Sequence, residues 1–184
     1  SGGSIFMSPG TLIGIGTIRA NGGDTINDGA GGGGRIALAV TRAGADFSAH
    51  TGIIRAFGGV KVNGVAAGAG TIYKQRAADP ASRGTVLVDN NASGYTDLPP
   101  SPPNVQNEVN FAPFVLTNSA TLRLTNNFTI GDIFMQSAGA RLDLGSNTLT
   151  VRSRAHALGI GVVTNYGAIV WWPDIPKGVV FSTW

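Results

Sequence analysis

Apolar and polar residues alternate along short segments of the chain, and glycines separate these segments. The clearest examples are TIRA at residues 17–20 and RIALAV at residues 35–40. A period of two places successive side chains on opposite faces of a β-strand. No segment has the period of 3.6 that an amphipathic helix requires. The pattern therefore predicts an all-β chain built from short strands.

An internal repeat of 36 residues covers the first part of the chain. GTIRANGG at residues 16–23 aligns with GIIRAFGG at 52–59, and GRIAL at 34–38 aligns with GTIYK at 70–74. A partial copy, GGSIFM, occupies residues 2–7, and we expect the chain to begin inside a longer array. Self-similarity at a fixed period is typical of proteins in which each repeat stacks on the next.

The later part repeats with a shorter period of about 20 residues. SATLRL at residues 119–124 resembles GARLDL at 139–144, and TNYGAIVW at 164–171 is interpreted as a further coil. The alternating leucines of the first two segments direct one row of side chains inward. We predict a right-handed parallel β-helix, that is, a solenoid with Gly-rich loops and one Pro-rich excursion.

Two segments interrupt the strands. The run GAGGGG at residues 29–34 favours close backbone approach over a flexible linker, because its length is kept across the repeat. Four prolines lie within residues 99–103 and cannot donate to a sheet ladder. The expected organisation is Gly-rich repeats over 1–96, a Pro-rich loop or linker over 97–114, and coils with an aromatic cap or joint over 115–184. One solenoid with a projecting loop is favoured over two domains.

Composition narrows the class of protein. Hydrophobic residues make up 42% of the 184 residues, which argues against a disordered tail. The chain has no cysteine, so disulfides and thiolate zinc sites are excluded. The net charge is +3 and the basic residues are scattered, so we expect no nucleic-acid partner. No apolar run reaches about 18 residues, so no membrane insertion is expected.

These motifs resemble those of a known group of proteins. GTI-x-A-x-GG, the Gly-rich run into GRIA, and the later ATL-x-L strings resemble large Gly-rich secreted bacterial proteins of the adhesin and autotransporter β-helix type. The resemblance covers most of residues 2–94 and 115–172. It implies an extracellular or cell-surface location and a β-helical fold. It implies no particular activity, because a fold does not determine function.

Some parallel β-helices degrade polysaccharides, so catalytic groups need consideration. A glycoside hydrolase places two carboxylates across one sugar bond. Asp132 and Asp143 lie one to a strand, and we expect both to be solvated strand or corner residues. His50 and His156 lack metal-ligand spacing and are interpreted as ordinary loop or corner residues. We therefore expect no enzyme activity and no catalytic residues, with a polysaccharide lyase or hydrolase as the second alternative function.

A calcium site is one candidate in the first repeat. Asp24, Asn27 and Asp28 supply the hard oxygen ligands that calcium prefers. The second repeat has no carboxylate at the equivalent positions, which favours an Asx-turn loop without metal. No other cofactor is expected.

Two further groups of residues are candidates for ligand binding. Arg19 and Arg55 occupy equivalent repeat positions and would contact an acidic glycan if they stack on one face. Trp171, Trp172 and Tyr166 offer aromatic faces on which sugars stack. The competing interpretations are strand arginines that prevent aggregation and an aromatic cap on the last coil.

The favoured function is an extracellular structural or adhesive segment that associates with itself or with adjacent modules of a surface protein. A carbohydrate-binding module is the first alternative, with a polysaccharide as its partner.

Overall fold

A computed structural model describes residues 1–27, 29–90, 94–98 and 111–172, and the chain is all-β throughout these ranges. The first strands are Ser4–Met7 (β1), Thr17–Arg19 (β2), Arg35–Ala39 (β3), Ile53–Arg55 (β4), Thr71–Gln75 (β5), Thr85–Asn90 (β6), Tyr95–Leu98 (β7) and Pro113–Asn118 (β8). The others are Thr121–Leu124 (β9), Phe128–Ile130 (β10), Asp132–Met135 (β11), Arg141–Asp143 (β12), Thr148–Val151 (β13), Leu158–Gly159 (β14), Val162–Thr164 (β15) and Ala168–Trp171 (β16). Over these ranges there is no helix that could span a membrane.

The strands form four sheets, and nearly all neighbours are parallel. The largest sheet has the order β1-β3-β5-β6-β8-β11-β14, and two others have the orders β7-β9-β12-β15 and β10-β13-β16. Strands β2 and β4 form a fourth, two-stranded sheet. Within the named strands that the structure describes, β5 and β6 are the one antiparallel pair. The prediction of an all-β, mainly parallel architecture is confirmed.

Strands β1 to β5 form a first unit, called here the glycine-rich stack. Its strands pair in the register that the 36-residue repeat predicts: Thr17 lies beside Ile53, and Arg35 beside Thr71. The partial copy at the start also pairs, with Ser4 beside Arg35. The sequence repeat therefore corresponds to a structural repeat.

Strands β6 to β16 form a second unit, called here the aliphatic stack. Strands β8, β9 and β10 belong to three different sheets, and β11, β12 and β13 follow in the same order, one rung further on. Strands β14, β15 and β16 follow the same order of sheets once more. Leu122 pairs with Leu142, and Phe128 with Leu149, so the predicted repeat of about 20 residues is confirmed.

Each stack has its own hydrophobic core. The larger core belongs mainly to the aliphatic stack and includes Leu116, Leu122, Ile133 and Leu142. The smaller one belongs to the glycine-rich stack and consists of Ala20, Ile36, Leu38, Ala56 and Ile72, with partly buried neighbours.

The two cores lie on opposite faces of the seven-stranded sheet. Ile72 pairs with Leu87, and both contact the smaller core. The adjacent residues Val86 and Val88 contact the larger core, and alternate residues of a strand point to opposite faces. The antiparallel β5–β6 pair therefore marks the point where the chain moves its interior to the other side of this sheet.

The glycines of the first stack lie against other backbone segments. A Cβ at Gly33 would overlap the carbonyl oxygen of Ala56, and one at Gly70 would overlap that of Gly34. Gly70 N–H donates to the Ala56 carbonyl at 2.7 Å, and Gly33 N–H to the Gly68 carbonyl at 3.0 Å. The predicted close backbone approach is confirmed for these loops.

Residues 99–110, which include the prolines of the predicted linker, lie outside the described residues. The strands on its two sides pair with each other: β6 with β8, and β7 with β9. β7 ends at Leu98, inside the range predicted as loop.

Candidate functional site

Arg19 and Arg55 lie side by side, as the repeat predicts. They are register partners on the parallel strands β2 and β4, and both side chains are exposed. The Arg55 guanidinium lies 5.2 Å from the centre of the Phe57 ring. The structure thus brings this pair together, on a sheet separate from those that carry the predicted aromatic residues.

Asp24 of the predicted calcium loop forms a hydrogen bond to the backbone of the next repeat. Asp24 accepts a hydrogen bond from the Val60 N–H at 2.8 Å, 36 residues further along. Asn21 does the same for the Phe57 N–H at 3.1 Å. Asn27 donates its backbone N–H to Thr25 Oγ1 at 3.4 Å, and Asp28 lies outside the described residues. Over the described ranges no three His, Cys, Asp or Glu side chains converge as a metal cluster.

The three predicted aromatic residues do not form one platform. Trp171 packs on the edge of the larger core, whereas Trp172 is 53% exposed. Tyr166 is fully exposed at the turn before β16, and Trp172 follows the other end of that strand. At about 3.3 Å per residue, the two exposed rings lie roughly 15–20 Å apart.

Trp172 instead belongs to a row of alternating arginine and aromatic side chains, called here the arginine–aromatic ladder: Arg83, Phe111, Arg152 and Trp172. The Arg83 guanidinium lies 4.2 Å from the Phe111 ring centre. Arg152 lies 4.5 Å from Phe111 and 5.3 Å from Trp172. Each contact is within the range of a cation–π interaction.

The strand registers explain why these residues align. Val86 pairs with Phe114, so three residues earlier Arg83 falls beside Phe111. Val151 pairs with Trp171, so Arg152 and Trp172 occupy the same corner of successive coils. The three contact distances limit the row of functional groups, from the Arg83 guanidinium to the Trp172 ring, to about 14 Å.

Gly131 occupies the rung between Phe111 and Arg152. Its N–H donates to the Ala112 carbonyl at 3.0 Å, and a Cβ there would overlap the carbonyl oxygen of Phe111. No side chain therefore separates Arg152 from the Phe111 ring.

The arginines of the ladder are not neutralised. Over the described residues no carboxylate forms an ion pair with Arg83 or Arg152, and the Arg152 Nε has no hydrogen-bond partner. Arg123, which lies over the Tyr95 ring, differs because Asp97 accepts from its Nε at 2.6 Å. This hydrogen bond raises the pKa of Arg123 above its ordinary value.

Asp132 and Asp143 are buried, so the expectation that both are solvated is wrong. Asp132 Oδ2 lies 2.5 Å from His156 Nδ1, and its Oδ1 accepts from the Ile133 N–H at 2.8 Å. Asp143 accepts hydrogen bonds from the Gly145 N–H at 2.9 Å and from the Asn165 side chain. Both carboxylates are retained at corners because backbone and side-chain donors satisfy them.

His156 is the partner that sequence reasoning did not assign. Its ring stacks on Phe134, with centroids 4.6 Å apart, and its side chain is 47% exposed. Asp132 and His156 are 24 residues apart, and no local motif links them. Part of the ladder could have been found in the sequence, because Arg152 and Trp172 are separated by the 20-residue period of the repeat. Arg83 and Phe111 had none.

Comparisons with protein-family models, with curated proteins and with solved structures found no match to this chain.

Proposed function

We propose that the chain is a segment of a right-handed parallel β-helix in a secreted or cell-surface protein, and that it has a structural or adhesive role. The observation that carries this proposal is the repeated order of three strands in three parallel sheets, with one rung added per 20 or so residues. An adhesin- or autotransporter-like protein is the kind in which we place it.

The contacts between repeats suit a stiff element. Side chains of one repeat bind the backbone of the next: Asn127 accepts from the Thr148 N–H at 2.8 Å, and Asn147 donates to the Leu124 carbonyl at 3.0 Å. Each such bond adds about 1 kcal/mol and fixes the relative position of two rungs. Repeats joined only to their neighbours behave as a nearly one-dimensional rod.

Association with further copies or modules is part of the proposal. Among the described residues, β15 and β16 are the outer strands of their sheets, and Val162, Val170 and Ile160 are exposed on or beside them. An unpaired strand edge is a template for another strand.

Sedimentation velocity and electron microscopy at increasing protein concentration test this role. We expect elongated assemblies that a double variant, Val162→Lys with Val170→Lys, disrupts, while Val62→Lys, outside the named strands, leaves them intact. A strictly monomeric protein with no adsorption to extracellular matrix or to itself would contradict the proposed role.

A further inference from the structure

We infer that the arginine–aromatic ladder binds an acidic polysaccharide whose chain runs parallel to the direction in which the strands stack. This role does not depend on the proposed rod or on self-association. It depends on the ring contacts that bring Arg83, Phe111, Arg152 and Trp172 together.

The first argument is the chemistry of the four side chains. Trp172 is 53% exposed and offers an aromatic surface that stacks on the apolar C–H face of a sugar ring. Phe111 is 36% exposed, and because Arg83 and Arg152 both lie over its ring, it positions the two guanidinium groups. An arginine binds a carboxylate or sulfate through two parallel hydrogen bonds. An alternation of rings and guanidinium groups therefore matches a chain of sugars that carry acidic groups.

The second argument is that the two positive charges have no ion-pair partner among the described residues. Arg83 and Arg152 lie against rings, and no described carboxylate pairs with them. The cation–π contacts fix the direction of each guanidinium but leave its charge available. Arg123 shows the other arrangement, because Asp97 accepts two hydrogen bonds from it, at 2.6 and 3.0 Å.

The third argument is the shape of the site. The ladder is a row at most about 14 Å long, in which Gly131 contributes no side chain. Such a row contacts a few units of a linear polymer but does not enclose a small molecule. A nucleic-acid-binding surface clusters its basic residues, whereas those of this chain are scattered and its net charge is +3.

Isothermal titration calorimetry with polygalacturonate as the probe tests this inference. We expect binding that weakens with added salt, and Arg152→Gln and Arg83→Gln each to weaken it by about tenfold. Trp172→Leu removes the stacking surface and Phe111→Leu removes the ring that positions both guanidinium groups, and each should weaken binding by roughly fivefold. Neutral dextran should not bind measurably.

Arg141→Gln and Phe6→Leu are the matched controls, because both residues are exposed and lie off the ladder. They should change the affinity by less than about twofold. If Arg152→Gln fails to fold by circular dichroism, the exposed Arg83→Gln decides the outcome. Absence of polygalacturonate binding, equal losses in ladder and control variants, or tighter ladder-dependent binding of oligothymidylate would each overturn the inference.

Discussion

The glycine-rich stack and the aliphatic stack fill the space between their strands in different ways. In the aliphatic stack, rows of side chains such as Leu122 and Leu142 lie over one another and are 1% and 0% exposed. In the glycine-rich stack, much of the contact is backbone against backbone, as between Gly33 and Ala56. Parallel strands therefore pack closely either with large side chains between them or with none. We expect the first arrangement to be damaged when a side chain is removed, and the second when one is added.

The difference extends to how neighbouring repeats are joined. A coil of about 20 residues has short corners, while the 36-residue repeat has long loops that return to the strands. Those loops stay ordered because their glycines allow carbonyl and N–H groups of adjacent loops to meet directly. High glycine content here marks dense packing.

Addition of a side chain to the glycine-rich stack should have the largest effect. Gly70→Val would force atoms into the backbone of Gly33 and Gly34, and we expect a loss of about 4 kcal/mol in the free energy of unfolding, or failure to fold. Gly23→Val is the control, because a Cβ there meets no atom within 4 Å. Urea unfolding followed by circular dichroism measures both, and equal losses would refute the backbone-packing account.

Removal of a side chain should be the damaging change in the aliphatic stack. Leu142→Ala would leave a cavity between two rungs and lower the free energy of unfolding by about 3 kcal/mol. Val162→Ala removes fewer atoms from a residue that is 44% exposed, and should lower it by less than about 1 kcal/mol. The same urea titration compares them; a Leu142→Ala protein as stable as the parent would show that this row is not the core.

Loss of a side-chain hydrogen bond between repeats should have a smaller effect. Asp24→Ala removes the acceptor for the Val60 N–H and should lower the free energy of unfolding by about 1 kcal/mol. Asp24→Asn keeps an acceptor and should be close to neutral. Thermal melts with calcium and with a chelator separate the two predicted roles of Asp24. If calcium stabilises the parent protein and Asp24→Ala abolishes this effect, the result would support the predicted calcium site.

The smallest expected effect is the pH dependence of a surface ion pair. Burial alone would raise the pKa of Asp79, but hydrogen bonds from Arg76, with an ion-pair distance of 2.7 Å, outweigh it and lower the pKa below 3.8. Because the pKa of Asp79 is lower in the folded than in the unfolded protein, its ionised form stabilises the fold above pH 3.8. This stabilisation is lost as the pH falls through the folded-state pKa.

Asp79→Asn should therefore lower the free energy of unfolding by about 0.5 kcal/mol at pH 7 and by less towards pH 2. Arg76→Gln should remove only part of this pH dependence, because the backbone N–H of residue 76 still donates to Asp79 Oδ2, at 2.8 Å in the parent. Urea titrations across this range measure it, and a difference that grows at acid pH would have the wrong sign.

The sequence by itself determined the strands and their pairing within each stack. Repeats at a fixed spacing specify register, because identical apolar positions are buried only when like segments lie side by side. Thr17 beside Ile53 and Leu122 beside Leu142 follow from this alone. The close backbone approach at residues 29–34 was also predicted, because the loop keeps its length in both repeats, and the structure shows it at Gly33 and Gly34.

Only the tertiary structure decided how the two stacks are joined. The pairing of Ile72 with Leu87 in antiparallel register reverses the strand direction and moves the interior to the other face of the sheet. No local pattern encodes this, because residues on both faces of β6 are apolar. The burial of Asp132 against His156 and the meeting of Arg83 with Phe111 were likewise decided by distant partners, which a single sequence does not bring into contact.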